Sequence, residues 1–118
     1  MKSSIYHIAV QSEWARAAGS YRAPSLDHEG FIHCSTAEQV MDVANAFYRG
    51  RADLVLLEID AEKLTSPVEI EAPASAGSSN DATTERFPHV YGPINTDAIV
   101  TVLHLSPGPD GMFDLPTL

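Results

Sequence analysis

Asp53-Leu54-Val55-Leu56-Leu57-Glu58-Ile59-Asp60 is the segment on which the fold turns. Five of its six inner residues are apolar, too continuous for a strand with one wet face, so the run predicts a central strand covered on both sides. Upstream, residues 5–10 alternate Ile5, His7 and Ala9 with Tyr6, Ile8 and Val10, which predicts a strand carrying His7 on one face. Residues 98–105 are rich in Ile, Val, Thr and Leu and predict a final strand; Pro107, Gly108 and Pro109 follow and block regular structure. Residues 1–105 are therefore expected to form one domain, with 106–118 as a tail.

Between these strands the pattern changes period. Ala37, Val40, Met41, Ala44, Phe47 and Tyr48 recur at helical spacing, with Ser35 and Glu38 as a capping box and Gly50 suited to the C-terminal turn. Ser12 is placed to cap a short helix carrying Trp14, Ala17 and Ala18 that ends at Gly19. Residues 20–30 read as a polar linker, and 31–35 as a short strand with Phe31, His33 and Ser35 on one face and Ile32 and Cys34 on the other. One helical turn over 61–64, an exposed strand over 68–71 and a mobile loop over 72–84 complete the reading. Strands and helices do not alternate regularly, so the expected class is α+β with a largely antiparallel or mixed sheet and flanking helices.

The chain has 118 residues, 44% hydrophobic and 19% charged, as expected for one globular core. Sixteen acidic residues against seven basic ones give a formal charge of -9, which disfavours binding to a nucleic-acid backbone. Asp53, Glu58, Asp60, Glu62, Glu69 and Glu71 concentrate the acid and read as a solvated face. Cys34 is the single cysteine, so no intramolecular disulfide and no Cys-rich zinc motif can form. With no signal-peptide core and no membrane-spanning apolar run, the expected setting is the cytoplasm, away from the membrane.

Polar chemistry gathers in Tyr6-His7-Ile8, in Gly30-Phe31-Ile32-His33-Cys34-Ser35 and in Glu85-Arg86-Phe87-Pro88-His89-Val90-Tyr91-Gly92-Pro93. His7 and His33 would face one cleft if their strands are neighbours, offering proton carriers near neutral pH. Cys34 points away from that face and is expected to be buried. Pro88 and Gly92-Pro93 restrict the backbone around His89 and Tyr91 in a turn-like segment. Glu85 and Arg86 suit a gate beside a pocket or a surface ion pair. There is no P-loop, no Gly-x-Gly-x-x-Gly fingerprint and no Gly-x-Ser-x-Gly elbow.

Ile5-Tyr6-His7-Ile8, Trp14, Ser25-Leu26, Glu29 to Ser35, Gln39-Val40 and Phe87 to Pro93 together resemble the bacterial family called domain of unknown function 952, over residues 5 to about 105. That family is similar in fold to ADP-ribosyltransferases and to RNA 2'-phosphotransferases, in which split antiparallel sheets hold a nucleotide in a cleft. The resemblance implies an ADP-ribosyltransferase-like fold and a small-molecule or nucleotide ligand, with NAD as cofactor or substrate. Under it, His7 would hold a ribose hydroxyl and His33 would orient the nicotinamide or phosphate side. Glu85, ahead of a turn-like segment and outside the final strand, would stabilise developing positive charge or activate the acceptor. Ser35, Arg86, His89 and Tyr91 would line the ligand site. Two other readings are compatible with these residues: a noncatalytic binding or interaction module, and a metal-dependent hydrolase using His7, His33, His89 and Glu85. Their spacing matches no standard metal motif, and no metal is expected.

Overall fold

A computed structural model of the chain describes residues 4–72 and 85–114. Strand β4 (Leu54–Asp60) lies at the centre of a three-stranded antiparallel sheet, between β1 (Ser4–Val10) and β8 (Ile99–Leu105). Registers run Ser4 opposite Asp60 to Val10 opposite Leu54, and Leu54 opposite Leu105 to Ile59 opposite Ile99, with one irregularity after Glu58. The apolar run of β4 is covered on both faces, as its composition predicts. Val55, Leu57 and Ile59 enter one core with Ile5 and Ala9, while Leu54 and Leu56 enter a second with Tyr6 and Ile8. Each such buried aliphatic side chain contributes about 1.5–3 kcal/mol.

Helix α3 (Val40–Phe47) closes the second core through Val40 and Ala44. It starts later than the Ser35/Glu38 pattern predicts, because the preceding turn uses other residues: Thr36 N–H donates to Gln39 Oε1 at 3.0 Å. The same Gln39 amide donates onward to the Arg86 carbonyl at 2.7 Å. Residues 106–114 fold back onto this core. Phe113 is buried there, its N–H and C=O bracketed by the Asn45 amide, and Gly50 N–H donates to the Gly111 carbonyl at 2.8 Å.

A second three-stranded antiparallel sheet has the order β3 (Ile32–His33), β6 (Phe87–Val90) and β5 (Val68–Glu71). The turn-like reading of residues 85–93 is thus corrected: Phe87 to Val90 form the middle strand. Pro88 argues against a central strand because it lacks an N–H, yet its carbonyl still accepts from Cys34 N–H at 3.0 Å. The turn proper begins at Gly92, at φ +157°, where any Cβ would collide with Ser66. The 20–30 linker is corrected as well. It contains β2 (Ser20–Tyr21), paired with β7 (Ile94–Asn95), and helix α2 (Pro24–Glu29). Pro24 opens α2 where a helix needs no N–H, and Gly30 ends it at φ +89°. Helix α1 (Gln11–Trp14) begins directly after Val10 with no side-chain cap, so Ser12 lies inside it. Single 3-10 turns span Ala61–Lys63, where a helical turn was expected, and Thr96–Ala98. Apart from Ala72, the loop expected over 72–84 lies outside the described residues. The chain is an α+β fold of antiparallel sheets with flanking helices, and among the described residues no helix is long and apolar enough to cross a membrane.

The two larger sheets meet at an antiparallel bridge, Tyr6 with Ser35, whose two N–H···O bonds are each 2.7 Å. Beside it, the His7 ring spans the junction. Nδ1 lies 2.6 Å from the His33 carbonyl and Nε2 lies 3.0 Å from the Tyr21 hydroxyl. A carbonyl only accepts, so Nδ1 carries the proton and Nε2 accepts from Tyr21. Burial pushes the imidazole down to about 4, against the partial opposition of the His33 carbonyl, and the ring is neutral at pH 7.

Two stability outcomes follow from this packing. Leu56→Ala, in the fully buried centre of β4, lowers unfolding free energy by roughly 2–5 kcal/mol in urea titrations, whereas Val102→Thr, on the exposed side of β8, costs about 0.5 kcal/mol or less. For His7, the unfolded chain takes up a proton near the ordinary value of 6.5 that the folded ring refuses until about pH 4. The neutral ring's full contribution is therefore present above pH 6.5 and is lost as pH falls toward 4, by up to roughly 3 kcal/mol. Urea midpoints measured from pH 7.5 to 4 register that loss. His7→Gln, which does not titrate, flattens this part of the curve, and an unchanged slope contradicts the assignment.

Candidate functional site

The β3-β6-β5 sheet has one apolar and one polar face, and both follow from alternation. Ile32, Cys34, Val68 and Val90 pack into the core. The intervening residues His33 and Ser35, His89 and Tyr91, and Glu69 and Glu71 occupy the opposite face, with the aromatic rings of Phe31 and Phe87. Cys34 is buried as expected, and burial raises its thiol well above the ordinary range, which leaves it protonated and inert.

On the polar face, His33 and His89 are directly opposed across the β3/β6 pair, with ring centroids 5.5 Å apart and edge to face. Each is tied to a carboxylate. His33 Nε2 lies 2.9 Å from Glu29 Oε2 at the end of α2. His89 Nδ1 lies 2.9 Å from Glu71 Oε1, and the Tyr91 hydroxyl donates to the same oxygen at 2.5 Å. The Tyr91 hydrogen bond, followed by that from His89, holds the Glu71 carboxyl below the usual carboxylate range; the same bond raises the Tyr91 phenol. Phe31 stacks on the His89 ring at 4.1 Å and 17°, which fixes the plane of the imidazole. His89 is 2% exposed.

A cavity of about 530 Å3 opens at the junction of the sheets. Its polar lining includes His7, Ser25, Glu29, His33, Ser35 and His89, and Tyr6, Phe47, Tyr48 and Phe87 supply rings. Phe47, at the end of α3, is 74% exposed despite its size. The structure thus brings His7, His33, Ser35 and His89 to one cavity. His7 and His33 meet through the His7 ring and the His33 backbone; the His33 ring itself turns toward Glu29. Ser35 holds the sheet bridge and lines the cavity instead of capping α3. Tyr91 stands at the end of β6, against Glu71. Glu85 and Arg86 are exposed ahead of β6 and are not part of the lining. Among the described residues, no three His, Cys, Asp or Glu side chains cluster to hold a metal ion.

Sequence reasoning missed Glu71, Glu29 and Tyr21. Glu71 read as one more member of a solvated acidic run, and its link to His89 depends on a strand register that composition does not encode. Glu29 and Tyr21 fell within the supposed linker, where neither α2 nor β2 was recognised.

Comparison with known proteins agrees with this architecture. The family described as "Protein of unknown function (DUF952)" matches residues 8–102. The crystal structure of protein CC0527 from Caulobacter crescentus is similar over 96% of this chain and 95% of that one, at 33% identity and a TM-score of 0.79. The solution NMR structure of CC0527 is similar over 92% of this chain and 90% of that one, at 33% identity and a TM-score of 0.74. No curated protein matches the chain. The chain belongs to the DUF952 family, of unknown function.

Proposed function

We propose that the cavity is a nucleotide site, and that its wall of aromatic rings and histidines takes the nicotinamide-ribose end of NAD in a domain similar to the ADP-ribosyltransferases. The observation that carries this reading is the pairing of His33 with His89, both bound to carboxylates, on the same cavity as Tyr6, Phe47, Tyr48 and Phe87. The volume, about 530 Å3, suits a small organic ligand. A nicotinamide ring is planar and cationic, which favours aromatic faces and a nearby carboxylate. Glu29 is that carboxylate, and neither Lys nor Arg is among the lining residues. Ser35 and His33 offer hydrogen bonds to ribose hydroxyls.

The transferase form of the reading needs a negative group facing the charge that develops at the ribose carbon. Such a group contributes on the order of 3 kcal/mol when well placed. Glu29 lies on the cavity, whereas Glu85 is outside the lining, so Glu29 is the better candidate. His7, with both ring nitrogens engaged, serves by holding the His33 backbone and does not contact the ribose.

Isothermal calorimetry with NAD, ADP-ribose and nicotinamide mononucleotide tests the proposal. NAD and the mononucleotide are expected to bind with dissociation constants below about 1 mM, equivalent to roughly 4 kcal/mol. Phe47→Ala is expected to weaken both by about tenfold through loss of a stacking face. Absence of heat with all three compounds rejects the nucleotide site.

A further inference from the structure

The Glu71-His89 pair has an arrangement that nucleotide binding alone does not explain. A carboxylate only accepts hydrogen bonds, so a neutral His89 must carry its proton on Nδ1, toward Glu71. Its Nε2 then holds a lone pair, and no described residue bonds to that nitrogen. The ring is clamped by Phe31 on its face and by the His33 ring at its edge, and Tyr91 holds the Glu71 oxygen that fixes the tautomer. His89 still contributes to the cavity lining. A carboxylate that orients an imidazole so that the opposite nitrogen meets a reactant is the arrangement of a general base.

We infer that His89 acts through Nε2 as the general base that activates a water for cleavage of a nucleoside's bond to a cationic ring base, with Glu71 as its positioning residue. The inference rests on the nucleotide reading of the cavity. In the step, Nε2 takes a proton from water while the water oxygen bonds to C1' of the nicotinamide ribose. The C1'-N bond breaks, its electron pair passes to the ring nitrogen, and neutral nicotinamide leaves. The proton on His89 then returns to solvent, so NAD and water yield ADP-ribose, nicotinamide and a proton, with no change of oxidation state. Water is the acceptor because the step needs only a small hydroxyl beside a buried ring.

The full chain incubated with NAD, with nicotinamide followed by chromatography, provides the test, alongside calorimetry on the same samples. Nicotinamide release is expected to fall at least 100-fold in His89→Gln, with a larger effect on kcat than on KM. Glu71→Gln is expected to reduce kcat by ten- to a hundredfold, and Glu71→Asp to recover part of it. A readout independent of turnover is the long-range 15N spectrum of the histidine rings at pH 8. His89 in the unaltered chain is expected as the Nδ1–H tautomer, with Glu71→Gln shifting the population toward Nε2–H. Heat with NAD but no nicotinamide release overturns the base assignment and leaves the binding site standing; no heat overturns both. Retained turnover in a folded His89→Gln protein, or an Nε2–H tautomer in the unaltered chain, also overturns it.

Discussion

The hydrogen bond from His7 Nδ1 to the His33 carbonyl, 2.6 Å long and partly buried, governs how the two larger sheets sit against each other. Tyr6 of β1 and Ser35, just past β3, share a single bridge, and a second tie between the two segments lies at the next residue of β1. The His7 ring supplies it, and its other nitrogen ties Tyr21, which is itself packed near Trp14. An imidazole can do this because it presents a donor and an acceptor on opposite edges; a charged ring would have two donors and nothing for the Tyr21 proton. Fixing the His33 backbone from one side leaves its ring free to turn to the other side, toward Glu29. The cavity therefore depends on a histidine whose own nitrogens are already satisfied.

The second sheet places its polar residues by the same logic. Its apolar face packs on the core, and its polar face ties histidine ring nitrogens to carboxylates at the strand and helix ends. Glu71 accepts from both His89 and Tyr91 through one oxygen. The acidic excess of the chain thus has a local use: two of its glutamates orient two histidines.

Regularity decided what could be read from the sequence. β1, β4 and β8 were legible because their apolar residues follow strand periodicity or fill both faces, and α3 because its apolar stripe repeats at helical spacing. The face assignment of Phe31, His33 and Ser35 against Ile32 and Cys34 also survives in the structure. Short elements were not legible. Six residues from Pro24 to Glu29 are too few to display a helical stripe, so their punctuation read as a linker. Pro88 and Gly92-Pro93 carry turn chemistry strong enough to hide β6. The Glu71-His89 contact lies beyond any local pattern, because it depends on which β5 residue opposes which β6 residue after an intervening stretch of chain.

The arrangement also bears on which end of a ligand the site can favour. A phosphate brought into the cavity meets the Glu29 carboxylate with neither Lys nor Arg among the lining residues, and the like charges repel. A neutral amide or a cationic ring meets Glu29 favourably and finds aromatic faces within reach. Glu29, which orients the His33 ring, thus also biases the cavity against anions, so one side chain bears on both the geometry and the electrostatics of the site.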